Sequence, residues 1–147
     1  MKTVEFSTIT KLPASPEEVF SHLADPNNHV GLSPLVVAVD NIRRESDKVH
    51  FTATERFTLG PLRYNNVIAV TMGLGAETIS GEVVSPGGVR LTYGYRVDAA
   101  PGGTKLVDHY RLSAPFGLLR FSVSQAKKVQ AARSLELLQR FEKNRSY

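Results

Sequence analysis

The sequence predicts an α+β fold: a curved, seven-stranded antiparallel sheet with one long C-terminal helix over its concave face. Three observations predict it. The hydrophobic period is two from Leu35 to Pro115, and it becomes 3.6 after Pro115. The strands are joined by short turns, whereas parallel neighbours would need long crossovers. An antiparallel sheet has one apolar face to cover, and only the C-terminal helix is long enough to cover it.

The elements follow in order. Residues 3 to 12 read as a strand carrying Val4, Phe6 and Ile9. Ser15-Pro16-Glu17-Glu18 is a helix start: Ser15 can cap the amide three residues on, Glu18 can reach back, and Pro16 suits the first turn. Val19, Phe20 and Leu23 form its apolar stripe, and Asp25-Pro26 ends it. A second short helix runs from Pro26 to about Leu32. Val36 to Ile42 is a strand, closed by the polar run Arg43 to Lys48. Val49, Phe51, Ala53, Glu55 and Phe57 then alternate with polar neighbours, as in a half-buried strand.

Leu59-Gly60-Pro61 turns this strand into Leu62, Tyr64, Asn66, Ile68, Val70 and Met72, and Gly73-Leu74-Gly75 is a break. Ile79, Gly81 and Val83 lead to the turn Pro86-Gly87-Gly88. Leu91, Tyr93, Tyr95 and Val97 precede Pro101-Gly102-Gly103, and Leu106, Asp108, Tyr110 and Leu112 form the last strand. Beyond Pro115, Leu118, Leu119, Ala126, Val129, Ala132, Leu135, Leu138 and Phe141 mark one face of a helix. Lys127, Lys128, Arg133, Arg140 and Lys143 fall mostly off that face.

Composition narrows the function classes. The chain has 147 residues, 41% hydrophobic and 22% charged, as expected of one globular domain spanning residues 1–147. With no cysteine, disulfide scaffolds, thiolate metal sites and cysteine nucleophiles are excluded. The start MKTVEFSTITKL lacks the apolar run of a signal peptide, and no segment approaches the ~20 apolar residues of a membrane span. A cytoplasmic protein is expected. His22, His29, His50 and His109 show no metal-ligand spacing, and no Gly-rich loop lies between a strand and a helix, so no metal or cofactor is expected. Nucleic acid is a poor partner, since no aromatic platform accompanies the basic residues.

Several stretches resemble the START-like (SRPBCC) superfamily, which has the helix-grip fold and includes polyketide cyclases and dehydratases, lipid-transfer domains and pollen-allergen-like binders. Leu12-Pro13-Ala14-Ser15-Pro16-Glu17-Glu18-Val19-Phe20 resembles the family's opening, and Leu23-Ala24-Asp25-Pro26 its junction between short helices. Gly102-Gly103-Thr104-Lys105-Leu106 resembles the turn before the last strand, and Pro115-Phe116-Gly117 the corner before the long helix. The resemblance covers essentially the whole chain. It departs at Val30-Gly31-Leu32-Ser33, where an aromatic residue, often Trp, is common.

The resemblance implies a cavity between sheet and helix for a large, mainly apolar ligand. The inward strand phase proposes its lining: Phe51, Phe57, Asn66, Ile68, Met72, Leu91, Tyr93, Tyr95 and Tyr110, with Ser122 and Ala126 leaving space on the helix and His29 at the mouth. Glu55, Asp108 and Tyr64 are the candidate acid-base groups, because a carboxyl on an apolar face is costly to ionise. The plainer readings are that the tyrosines are core residues, and that the carboxylates pair with an inward Arg or end in solvent.

Three functions remain. The first is binding of a hydrophobic or aromatic small molecule, such as a lipid, quinone or polyketide. The second is cyclase or dehydratase chemistry in the same cavity. The third is weak docking of the basic helix on an acidic partner or an anionic membrane surface, without integral insertion. Residues 1–115 carry eleven basic and twelve acidic side chains, and residues 116–147 carry seven and two, so the formal net charge of +4 originates in the C-terminal segment. The ordinary account of that excess is a polar outer face on the closing helix.

Overall fold

The computed structural model describes residues 2–59, 61–85, 88–115 and 117–145. The predicted turn residues Gly60, Pro86 and Gly87, and the corner residue Phe116, lie outside the described residues. The elements are β1 (Lys2–Leu12), α1 (Pro16–Ala24), a 3-10 helix (Pro26–His29), β2 (Val36–Glu45), β3 (Lys48–Leu59), β4 (Leu62–Leu74), β5 (Thr78–Ser85), β6 (Val89–Ala100), β7 (Gly103–Ala114) and α2 (Leu119–Arg145). The seven strands form one antiparallel sheet in the order β1-β7-β6-β5-β4-β3-β2. Consecutive strands from β2 to β7 are neighbours, and β1 joins at the far side of β7.

Local chemistry accounts for the element ends. Ser15 caps α1 by accepting the Glu18 amide at 3.2 Å, with Pro16 in the first turn. Asp25 then accepts the Asn27 amide at 3.0 Å and starts the 3-10 helix, which is shorter than the sequence predicts because it ends at His29. The polar run Arg43 to Lys48, predicted as a loop, instead extends β2 to Glu45 and opens β3 at Lys48. Likewise Gly73 and Leu74 remain in β4, where their backbones pair with Ser80 and Ile79 of β5. Cross-strand backbone pairing outweighs side-chain polarity at the first place and glycine's conformational freedom at the second.

The concave face buries the apolar phase of β3 to β7. Val49, Phe51 and Ala53 of β3, Ile68, Val70 and Met72 of β4, Ile79 and Val83 of β5, Tyr95 and Val97 of β6 and Leu106 of β7 form one core with Val19 and Leu23 of α1 and Leu137 and Phe141 of α2. In β1 the inward phase is Val4, Phe6, Thr8, Thr10 and Leu12, so Ile9 faces out and is 62% exposed. Odd and even residues of a strand cannot share a face.

The largest correction concerns α2. Its inner face carries Val129, Gln130, Arg133, Leu137 and Phe141, whereas Leu135, predicted on the apolar stripe, is 59% exposed. Arg133, predicted mostly off the covered face, is buried. The helix therefore covers the sheet with a face that includes two polar residues.

Candidate ligand-binding cavity

A cavity of about 130 Å³ lies between the concave sheet and α2. Its wall is built from β2 to β7, the segment after α1 and one stretch of α2. Of the residues the sequence proposes, Phe51, Glu55, Ile68, Leu91, Tyr93, Tyr95, Tyr110 and His29 line it. Leu32, Ser33, Val36, Ala53, Val70, Val83, Val129 and Arg133 complete the wall and were not proposed. The unbroken register of β3 against β4 and of β5, β6 and β7 against one another holds the inward phase together.

Other proposed residues lie elsewhere. Tyr64 is 49% exposed and stacks on Phe57 with ring centroids 5.2 Å apart. Both keep the predicted phase, but that end of the β3–β4 hairpin is outside the cavity wall, so neither lines it. Met72 is fully buried in the core without reaching the wall. Asn66 pairs in register with Glu55 and bonds to its side chain, so it meets the cavity only through Glu55. Ser122 and Ala126 are half-buried on α2, and Val129 and Arg133 occupy the wall in their place. Asp108 is buried but does not line the cavity.

Asp108 takes the plainer of its two predicted roles, as the partner of an inward Arg. Arg133 Nε donates to Asp108 Oδ2 at 2.8 Å, and Nη2 lies 2.6 Å from the same oxygen without a well-directed hydrogen bond. The two side chains are 7% and 5% exposed. Gln130 Nε2 donates to the Asp108 main-chain oxygen at 2.9 Å and approaches Oδ1 at 3.5 Å. Burial pushes the Asp108 carboxyl up, and Arg133 opposes that shift. Burial also works against the Arg133 charge, but Tyr110, Tyr95 and Asp108 outweigh it and the guanidinium stays protonated.

Aromatic rings surround this pair. The guanidinium lies 4.9 Å from the Tyr110 ring centre and 5.4 Å from that of Tyr95, in cation–π range. Tyr93 sits 5.6 Å from Tyr95, opposite Gly81 of β5. A side chain at Gly81 would overlap the Tyr93 ring, so this glycine makes room for it. Burial keeps all three phenols protonated well beyond neutral pH. Elsewhere along the cavity wall, burial raises the Glu55 carboxyl above its ordinary range, and Asn66 partly counters this.

The segment after α1 is held from α2. Arg140 donates to the carbonyl oxygens of Asn28 at 2.7 Å and Val30 at 3.1 Å, with Nη1 also 3.1 Å from His22 Nε2. His29 Nε2 donates to the Leu23 carbonyl at 2.8 Å, and its ring lies 6.0 Å from Phe51. Burial lowers the pKa of both His22 and His29, so they are neutral at pH 7. Two of the seven basic residues after position 115, Arg133 and Arg140, are thus occupied by internal contacts and not displayed on an outer face.

The chain matches no family model and no curated protein. Solved structures do match. The Zhui aromatase/cyclase from a Streptomyces species superposes with a TM-score of 0.81 at 12% identity, over 96% of this chain and 94% of that one. A Thermus thermophilus protein gives 0.70 at 19% identity, over 99% and 100% of the two chains. The di-domain aromatase/cyclase StfQ of steffimycin biosynthesis gives 0.78 at 12% identity over 98% of this chain, which spans about half (52%) of StfQ. At these identities the likeness establishes the fold: the chain has the helix-grip fold. No helix among the described residues is long and apolar enough to cross a membrane.

Proposed function

We propose that the protein binds a small hydrophobic molecule, built on an aromatic or similar ring, in the cavity between sheet and α2, and that it acts in the cytoplasm. The observation that carries the reading is the wall itself: apolar side chains from five strands, the buried Tyr95 and Tyr110, the half-buried Tyr93 and one buried Arg around a space of about 130 Å³. Ligand sites are mostly apolar with a few placed polar groups. The space sets the scale, because an apolar cavity of about 150 Å³ accommodates benzene. A single ring fits without rearrangement, so a long lipid or polycyclic ligand requires the wall to open.

The test is thermal unfolding with a panel of one-ring compounds. A ligand that binds only the folded state raises the melting temperature by mass action. Ala53→Phe, which places a ring in the space, should abolish the rise. Absence of any rise in the unsubstituted protein, or its survival in Ala53→Phe, refutes the reading.

One observation favours a second reading, acid–base catalysis on the bound molecule. Glu55 lies on the wall, and burial raises its pKa, the direction that favours a carboxyl able to hold and give up a proton. Two of the similar structures are aromatase/cyclases, which accords with it. Glu55→Gln should then abolish turnover while ligand binding survives; full activity in that variant refutes it.

A further inference from the structure

The polar groups of the cavity are unevenly matched. Arg133 presents N–H donors to the wall and bonds to the Tyr110 hydroxyl, while Asp108 Oδ2 takes Nε and crowds Nη2 from behind. The tyrosine rings at 4.9 and 5.4 Å meet the guanidinium by their faces. Those faces balance charge and hold the group in plane. Arg133 Nη2 is left buried without a proper hydrogen bond. A buried donor in that condition is costly, and a ligand acceptor would relieve it.

The charge, in contrast, is already balanced. Asp108 stands outside the wall and is held in place by Gln130, so no ligand displaces it without stripping a buried carboxylate of its partners. What is missing is a well-directed acceptor for Arg133 Nη2, and not an anion. A ligand carboxylate would bring a second negative group to one guanidinium, with the Glu55 carboxyl on the same wall. Burying such an excess charge is expensive.

We propose that the cavity selects a one-ring molecule carrying a neutral carbonyl oxygen, taken by Arg133 Nη2, and that Asp108 sets this preference from behind as a positioning residue. The inference rests on the binding reading above and adds the polarity of the ligand. It also makes a demand that a purely structural role for Asp108 does not: removing its charge must invert the preference.

The probes are toluene, acetophenone and benzoate, the last two nearly equal in size and differing in charge. In titration calorimetry at pH 7, the unsubstituted protein should bind acetophenone at least roughly tenfold more tightly than benzoate. Asp108→Asn keeps the shape and the main-chain bond from Gln130 but leaves Arg133 without a counter-charge. In that variant benzoate should gain roughly tenfold or more and become the preferred ligand. Should Asp108→Asn be too unstable for calorimetry, benzoate should restore its melting temperature and acetophenone should not. Toluene separates the two claims. Binding of toluene with no discrimination between the other two, or no inversion or rescue in Asp108→Asn, overturns the inference and leaves the binding reading standing. Failure of all three probes to bind overturns both.

Discussion

Replacing Arg133 by Met removes one half of a buried ion pair and leaves the other half in place. Met fills much of the same volume, so the loss is mainly electrostatic. Asp108 then keeps only the Gln130 approach at 3.5 Å, at a position where its side chain is 5% exposed. Breaking a buried pair from one side costs about 3–5 kcal/mol. At about 2–4 °C per kcal/mol for a chain of this size, the melting temperature should fall by about 6–20 °C at pH 7. The pH dependence identifies the cause. Burial already raises the Asp108 carboxyl above its ordinary 3.8, and without Arg133 only the smaller effects of Gln130 and His109 oppose that shift. A group whose folded pKa is raised contributes stability that is fully present below its unfolded pKa and lost as pH rises through the folded value. The variant should therefore regain stability relative to the parent as pH is lowered from 7 toward 4. The double variant Arg133→Met with Asp108→Leu should regain most of it at pH 7, because apolar replacement of a buried pair is neutral or stabilising. Urea unfolding at several pH values measures all three. A loss that does not vary with pH, or a double variant no more stable than the single one, refutes the assignment of the cost to a stranded carboxylate.

Three further outcomes are expected. Ala53→Phe should lower stability by about 1–3 kcal/mol if its ring overfills the cavity, and by less if the space takes it without strain, as read by denaturant unfolding. Arg140→Ala removes the donors to Asn28 and Val30, so amide exchange across residues 28–32 should quicken while that of the β6–β7 pair stays unchanged; equal protection in both proteins would show that Arg140 does not hold that segment. Stability should decline on acidification below about 6.5, the ordinary value for imidazole, because burial lowers His22 and His29 and the unfolded chain then binds protons that the folded chain refuses. His29→Gln should flatten part of that decline, and an unaltered profile would exclude His29 as a source.

The strand core was legible in the sequence because each strand from β3 to β7 keeps period two without a bulge. Glu55, Tyr93, Tyr95 and Tyr110 reach the wall for that reason. Tyr64 shows the limit of such reasoning. Periodicity assigns a face, but not how far along a strand the covering helix extends. Arg133 shows a second limit. A stripe chosen for apolar residues admits Leu135 and rejects Arg133, while the row Val129, Arg133, Leu137 and Phe141 has the i, i+4 spacing of one face. The signal was that spacing, and the polarity of Arg133 hid it. The buried carboxylate and the tyrosine rings across from it make an inward guanidinium tolerable, and the ion pair joins residues 25 positions apart. The local start signals at Ser15 and Asp25 were readable because capping is a matter of a few neighbouring residues.

The two margins of the sheet differ in a way that bears on how the protein associates with copies of itself. Along β2 the pairing with β3 slips between Val36 and Ala38 and again between Asp40 and Arg43, and Asn41 adopts a left-handed backbone with φ of 55°. A strand so interrupted is a poor template for another chain. β1 runs in unbroken register with β7 from Lys2 to Leu12 and offers a regular outer row of backbone groups. Of the two margins β1 is therefore the better template for strand pairing, and the exposed charges of Lys2, Glu5 and Lys11 guard it.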